Sequence, residues 1–98
     1  AERDLAGAHP FDGARVTNIV PGTSEELGID AEEGVAVVAV RPQSTAARLF
    51  KPGDVILQVG RQRIATVAEL ESALAQRQRR WLVVVKRGTQ VLQLQLAG

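Results

Sequence analysis

Apolar side chains along this chain fall in short, mostly β-branched runs broken by Pro and Gly, and only one stretch carries helical spacing. The run Val35-Ala36-Val37-Val38-Ala39-Val40 is too short for a typical helix and is dominated by β-branched residues, so it reads as a strand. Its apolar side chains point to both alternating faces, the pattern of a strand wrapped into a small core. Pro42 ends it, and Ser44 offers a hydroxyl to the free N–H groups of a short helix from Thr45 to Phe50. Lys51-Pro52-Gly53-Asp54 has Pro and Gly where a type II turn requires them, and the next strand begins at Val55 and runs to Val59.

The flanking segments follow the same rules. Ala14 to Val20 reads as a strand, although Val16 and Ile19 differ in parity. Pro21-Gly22 closes it, Thr23 or Ser24 caps a short helix through Leu27, and Gly28 stops that helix. Arg61 to Ile64 is a short polar strand or turn. Thr66 then caps the longest helix, Val67 to Arg77, with Glu69 completing a capping box. Along it Val67, Leu70 and Leu74 make an apolar stripe with Ala73 beside them. Trp81 to Val85 is a central strand. Val91 to Leu96 alternates cleanly, placing Gln93 and Gln95 toward water. Residues 1–8 are expected to be a loose leader and residues 9–98 one folded domain.

Composition narrows the function classes. At 98 residues with 45% apolar and 3% aromatic side chains, the chain builds one aliphatic core without staples. Cysteine is absent, which excludes a disulfide framework or thiolate metal site. A net charge of +1 argues against a protein built to hold nucleic acid. No apolar run approaches the ~18 residues of a membrane span, and no signal segment opens the chain. The start at Ala1, without Met, leads to the expectation of a piece of a longer protein.

Candidate chemistry is sparse. His9, the only histidine, borders the loose leader and lacks the oriented Ser–His pairing that nucleophilic catalysis needs. The acidic group Glu25, Glu26, Asp30, Glu32 and Glu33 lacks the fixed spacing of a hard-cation loop and reads as a solvated face. The basic group Arg77, Arg79, Arg80, Lys86 and Arg87 sits on two turns at one end with no stacking aromatics among it and reads as a solvated surface, and Trp81 is core or half-core. No catalytic residue, metal or cofactor is expected.

Four motifs in fixed order, Gly34-Val35-Ala36-Val37, Ser44-Thr45-Ala46-Ala47, Pro52-Gly53-Asp54 and Val55 to Gly60, resemble the central segment of PDZ domains in the circularly permuted bacterial arrangement. One departure is Arg48-Leu49-Phe50, where the family usually places a Gly. The resemblance extends through His9-Pro10-Phe11-Asp12-Gly13-Ala14 and Ser24 to Ile29, and is nearest to PDZ domains of HtrA/Do-type trypsin-like serine endoproteases, the second more than the first. It implies an α+β fold: a five- or six-stranded antiparallel barrel or sandwich capped by two helices.

The resemblance also implies a site. Such domains add an extended peptide, often a free C-terminus, as a strand beside a helix. The carboxylate loop corresponds to Phe11, Asp12, Gly13 and Ala14, and the receiving strand continues through Arg15, Val16 and Thr17. Helical spacing turns Val67, Glu71 and Leu74 to the groove and Leu70 and Ala73 to the core. Phe11 and Leu74 would line the pocket for the last peptide side chain, while Asp12 and Glu71 bring negative charge near a carboxylate ligand. The implied function is a non-catalytic, regulatory peptide-binding module of a periplasmic or cell-envelope serine endoprotease. Its implied partners are peptides or unfolded proteins with apolar C-termini and the protease domain of its own parent, the isolated module being monomeric and the parent homo-oligomeric. The alternatives are the same fold serving inter-subunit contact, or a domain of another bacterial envelope protease or secretion component.

Overall fold

The β-branched runs form the strands. A computed structural model describes residues 2–29, 31, 33–76 and 78–97. In chain order its elements are β1 (Glu2–Asp4), β2 (Ala14–Asn18), α1 (Pro21–Leu27), β3 (Val35–Val40) and α2 (Thr45–Leu49). They continue with β4 (Val55–Val59), β5 (Gln62–Arg63), α3 (Val67–Leu74), β6 (Arg80–Arg87) and β7 (Gln90–Ala97). Every pairing is antiparallel, in the order β1-β2-β3-β4-β6-β7, with β5 added to β4. Among the described residues β7 never pairs back onto β1, so the antiparallel PDZ-like arrangement is an open, sandwich-like sheet of seven strands with three short helices.

Local chemistry sets most boundaries. The Ser44 hydroxyl accepts the Ala47 N–H at 3.1 Å and starts α2, as its position predicts. The helix leaves through Phe50 in extended geometry, φ −123°, which is how it exits without the usual Gly. Gly53 sits at φ 96°, and the Asp54 N–H closes the turn on the Lys51 carbonyl at 3.1 Å. In α3 the Thr66 hydroxyl accepts from the Glu69 N–H and the Glu69 carboxylate accepts from the Thr66 N–H, a complete capping box.

Three expectations are corrected. Thr23 or Ser24 does not cap α1: Pro21 opens the helix after Val20, since its fixed φ and missing N–H suit a first turn. Helix α3 ends at Leu74 rather than running to Arg77, because Ala75 and Gln76 are exposed and bury nothing that would hold another turn; Arg77 lies outside the described residues. The loose leader is not loose over Glu2–Asp4, which pair with β2, and Leu5 after them is 6% exposed. The reason is alternation: odd positions face the core side and even positions face a cation on β2, described below.

The core lies between the sheet and the helices. Phe11 and Phe50 stack at 4.5 Å with planes 11° apart, and Val37, Ile56, Leu70, Trp81 and Val85 belong to the same cluster. β7 presents Leu92, Leu94 and Leu96 to this cluster and leaves Gln93 and Gln95 in water, as its alternation predicts.

Candidate functional site

The loop before β2 is built around Gly13. Its φ of 94° is a conformation that side-chain-bearing residues rarely adopt, and a Cβ there would collide with the Ser44 side chain. The loop therefore packs hard against the start of α2, and the Ala46 N–H donates to the Asp12 carbonyl at 3.0 Å. Phe11 is buried against Phe50, so it forms the floor of this corner.

Opposite stands α3. Leu70 and Ala73 are buried toward the sheet, Val67 and Leu74 are nearly so, and Glu71 is half-exposed at the lip. The Asn18 carboxamide ties the two walls together by accepting the Val67 N–H at 2.7 Å. The result is a trough between β2 and α3, closed at one end by the Phe11–Gly13 loop.

That trough is filled by the chain's own first strand. β1 lies antiparallel to β2, with Glu2 opposite Thr17, Arg3 opposite Val16 and Asp4 opposite Arg15. At the closed end Leu5 is held twice: its N–H donates to the Ala14 carbonyl at 2.8 Å, and its carbonyl accepts the Gly13 N–H at 2.9 Å. Leu5 shares one buried cluster with Phe11 and Leu74, while Arg3, two residues back on the same face, meets Glu71 at 3.1 Å. On the other face Arg15 reaches Asp4 at 2.8 Å and Glu2 at 3.8 Å. Arg3 and Leu5 were not among the residues singled out from sequence; their shared parity and the carboxylate of Glu71 are the signal.

The loop's other donors are committed. The Asp12 N–H reaches the His9 carbonyl at 3.3 Å and the Ala14 N–H the Phe11 carbonyl at 2.9 Å, so Gly13 alone turns its N–H into the trough. The Asp12 carboxylate points away from the trough to accept the Gly7 N–H at 3.0 Å. His9 is half-buried rather than loose: its Nδ1 accepts the Phe11 N–H at 3.1 Å and its Nε2 meets the Ala6 carbonyl at 3.2 Å, pinning the turn that follows Leu5.

Electrostatics act mainly on the outer face. The Arg15 hydrogen bond holds the Asp4 carboxyl below its ordinary value of 3.8, with the charges of Arg15 and Arg41 acting in the same direction. A carboxyl depressed in the folded state contributes stability above its unfolded pKa and loses it as pH falls through the folded one. The Arg15–Asp4 contact is therefore expected intact at pH 7 and released below 3.8. An NMR titration of the Asp4 carboxyl and the Arg15 side chain checks this, and a midpoint at or above 3.8 would contradict it.

The PDZ domain family matches residues 10–97 of this chain. The chain belongs to the PDZ domain family. That match spans nearly its whole length, so this chain is the PDZ domain itself and not a protease domain. Among relatives, a probable periplasmic serine endoprotease DegP-like from Chlamydia trachomatis serovar D is 47% identical over 64 residues, covering 63% of this chain and 13% of that protein. A putative serine protease HhoB from Synechocystis is 30% identical over 91 residues, covering 82% of this chain and 22% of that protein. The PDZ chain thus spans less than a quarter of either relative. The crystal structure of the HtrA3 PDZ domain bound to a phage-derived ligand, FGRWV, superposes with a TM-score of 0.72 at 27% identity, covering 87% of this chain and 80% of that one.

Proposed function

We propose that this PDZ domain is the peptide-binding, regulatory module of an HtrA/Do-type serine endoprotease of the bacterial periplasm or cell envelope. It takes extended peptides or unfolded chains with apolar C-termini by strand addition between β2 and α3. The observation that carries this reading is the seated β1: the trough already accepts an extended segment in antiparallel register, ending in an aliphatic side chain whose carbonyl meets the Gly13 N–H. The HtrA3 ligand supports the same class, since its last three residues, Arg-Trp-Val, place a cation two before an aliphatic end as Arg3-Asp4-Leu5 do. The parent's proteolysis rests on the named relatives.

The side chain two before the end of the ligand has its own partner in this reading. Val67 is buried within the core cluster, whereas Glu71 meets the side chain two before the end of the seated segment, so a cation is favoured at that position. Binding is expected at tens of micromolar or weaker, about −6 kcal/mol. NMR titration with free-carboxylate peptides ending in Arg-x-Leu or Arg-x-Val should shift residues 11–19 and 67–75. Leu74→Asp or an amidated peptide terminus should remove those shifts. Shifts confined to other surfaces would favour a domain used for inter-subunit contact.

A further inference from the structure

The occupied trough has a regulatory meaning that rests on the peptide-binding reading. We infer that Glu2–Leu5 is a built-in ligand, and that an external peptide enters the trough only by displacing it. The hold is specific at each position. Leu5 fills the apolar end against Phe11 and Leu74, Gly13 grips its carbonyl, Arg3 meets Glu71, and Arg15 takes the carboxylates of Glu2 and Asp4. The hold is also shallow. β1 is three residues long, lies at the sheet edge with β2 as its one strand neighbour among the described residues, and leaves Glu2, Arg3 and Asp4 exposed. Its ion pairs are solvent-facing, with side-chain exposures of 63% for Arg3 and 39% for Glu71, and such pairs add little each. A short edge strand anchored by one buried leucine is the kind of segment that opens while the rest of the domain stays folded.

Tethering explains why it nonetheless stays in place. Ala6 to Pro10 is a short connection tied down by His9 and Asp12, so the segment faces its own trough at an effective concentration on the order of millimolar. A competing peptide gains one contact the segment lacks: a free carboxylate at the Gly13 N–H, in place of the neutral Leu5 carbonyl. Exchange therefore favours ligands that end where Leu5 continues into the chain.

The probe is the segment itself as a free peptide, Glu-Arg-Asp-Leu with a free carboxylate and an N-terminal fluorophore, measured by polarisation. Leu5→Ala should tighten its binding roughly tenfold or more relative to the parent chain, because the tethered competitor loses its buried group. Arg3→Glu, which alters only an exposed side chain and leaves Glu71 free for the probe, should tighten it roughly two- to fivefold and decides the matter if Leu5→Ala fails to fold. Equal affinity for all three proteins would overturn the built-in ligand and leave the peptide-binding reading standing. No binding to any of the three at millimolar probe, with Trp81 fluorescence showing each folded, would overturn both.

Discussion

Leu70→Ala is expected to lower the unfolding free energy by about 2–5 kcal/mol, the range for emptying a fully enclosed leucine site. Leu70 is 0% exposed at the middle of α3, with Val67, Ala73 and Leu74 buried around it on the same helix. A loss there removes transfer energy and leaves a cavity that a short, capped helix between fixed ends cannot easily collapse. Glu71→Ala, one position on, removes one exposed ion pair and should change stability by less than about 0.5 kcal/mol. Urea unfolding followed by the lone, buried Trp81 measures both, and midpoints ranked the other way would mean that α3 presents a different face to the sheet.

Asp54→Ala should be nearly as damaging, at about 3 kcal/mol. Asp54 is 1% exposed, yet its carboxylate is fully engaged: Oδ1 accepts the Arg87 Nε–H at 2.9 Å, and Oδ2 accepts the Arg87 guanidinium at 2.8 Å and the Lys51 N–H at 2.9 Å. The pair clamps the Lys51–Asp54 turn to the end of β6, and the Arg87 guanidinium also reaches the Leu49 carbonyl at 3.3 Å. Truncation takes the bidentate partner from Arg87, whose side chain is about a third exposed, and frees the turn. Asp54→Asn tests the role of charge, because it keeps the volume and one acceptor while losing the bidentate match. If Asp54→Ala shifted the urea midpoint no more than Glu71→Ala, the clamp would have no energetic weight.

Much of this was legible in order along the chain. The β-branched runs at Val35–Val40 and Val55–Val59, the Ser44 cap, the Pro52-Gly53 turn and the Thr66–Glu69 box are local devices, satisfied within a few residues of themselves. The loop Phe11-Asp12-Gly13 came only from the family resemblance, and the close approach of Ser44 to Gly13 is a contact of the folded chain. α1 was misread at its start because a proline and two hydroxyl residues compete for the first turn, and fixed backbone geometry outweighed the side-chain caps.

What the chain alone determined is therefore the strands of its β-branched runs, the caps of α2 and α3 and the burial of Leu70 and Ala73, since these depend on spacing and on hydrogen bonds between near neighbours. Only the tertiary structure decided that Arg87, read as part of a solvated basic group, is the partner of Asp54 across 33 positions. It also decided that Glu2–Leu5, polar and short, is a strand at all. Nothing local holds those residues extended. Their ladder, their buried leucine and their ion pair with Glu71, 68 positions away from Arg3, exist only once β2 and α3 stand side by side. Long-range contacts leave a weak trace in sequence because loop closure is set by the whole fold rather than by the segment being closed.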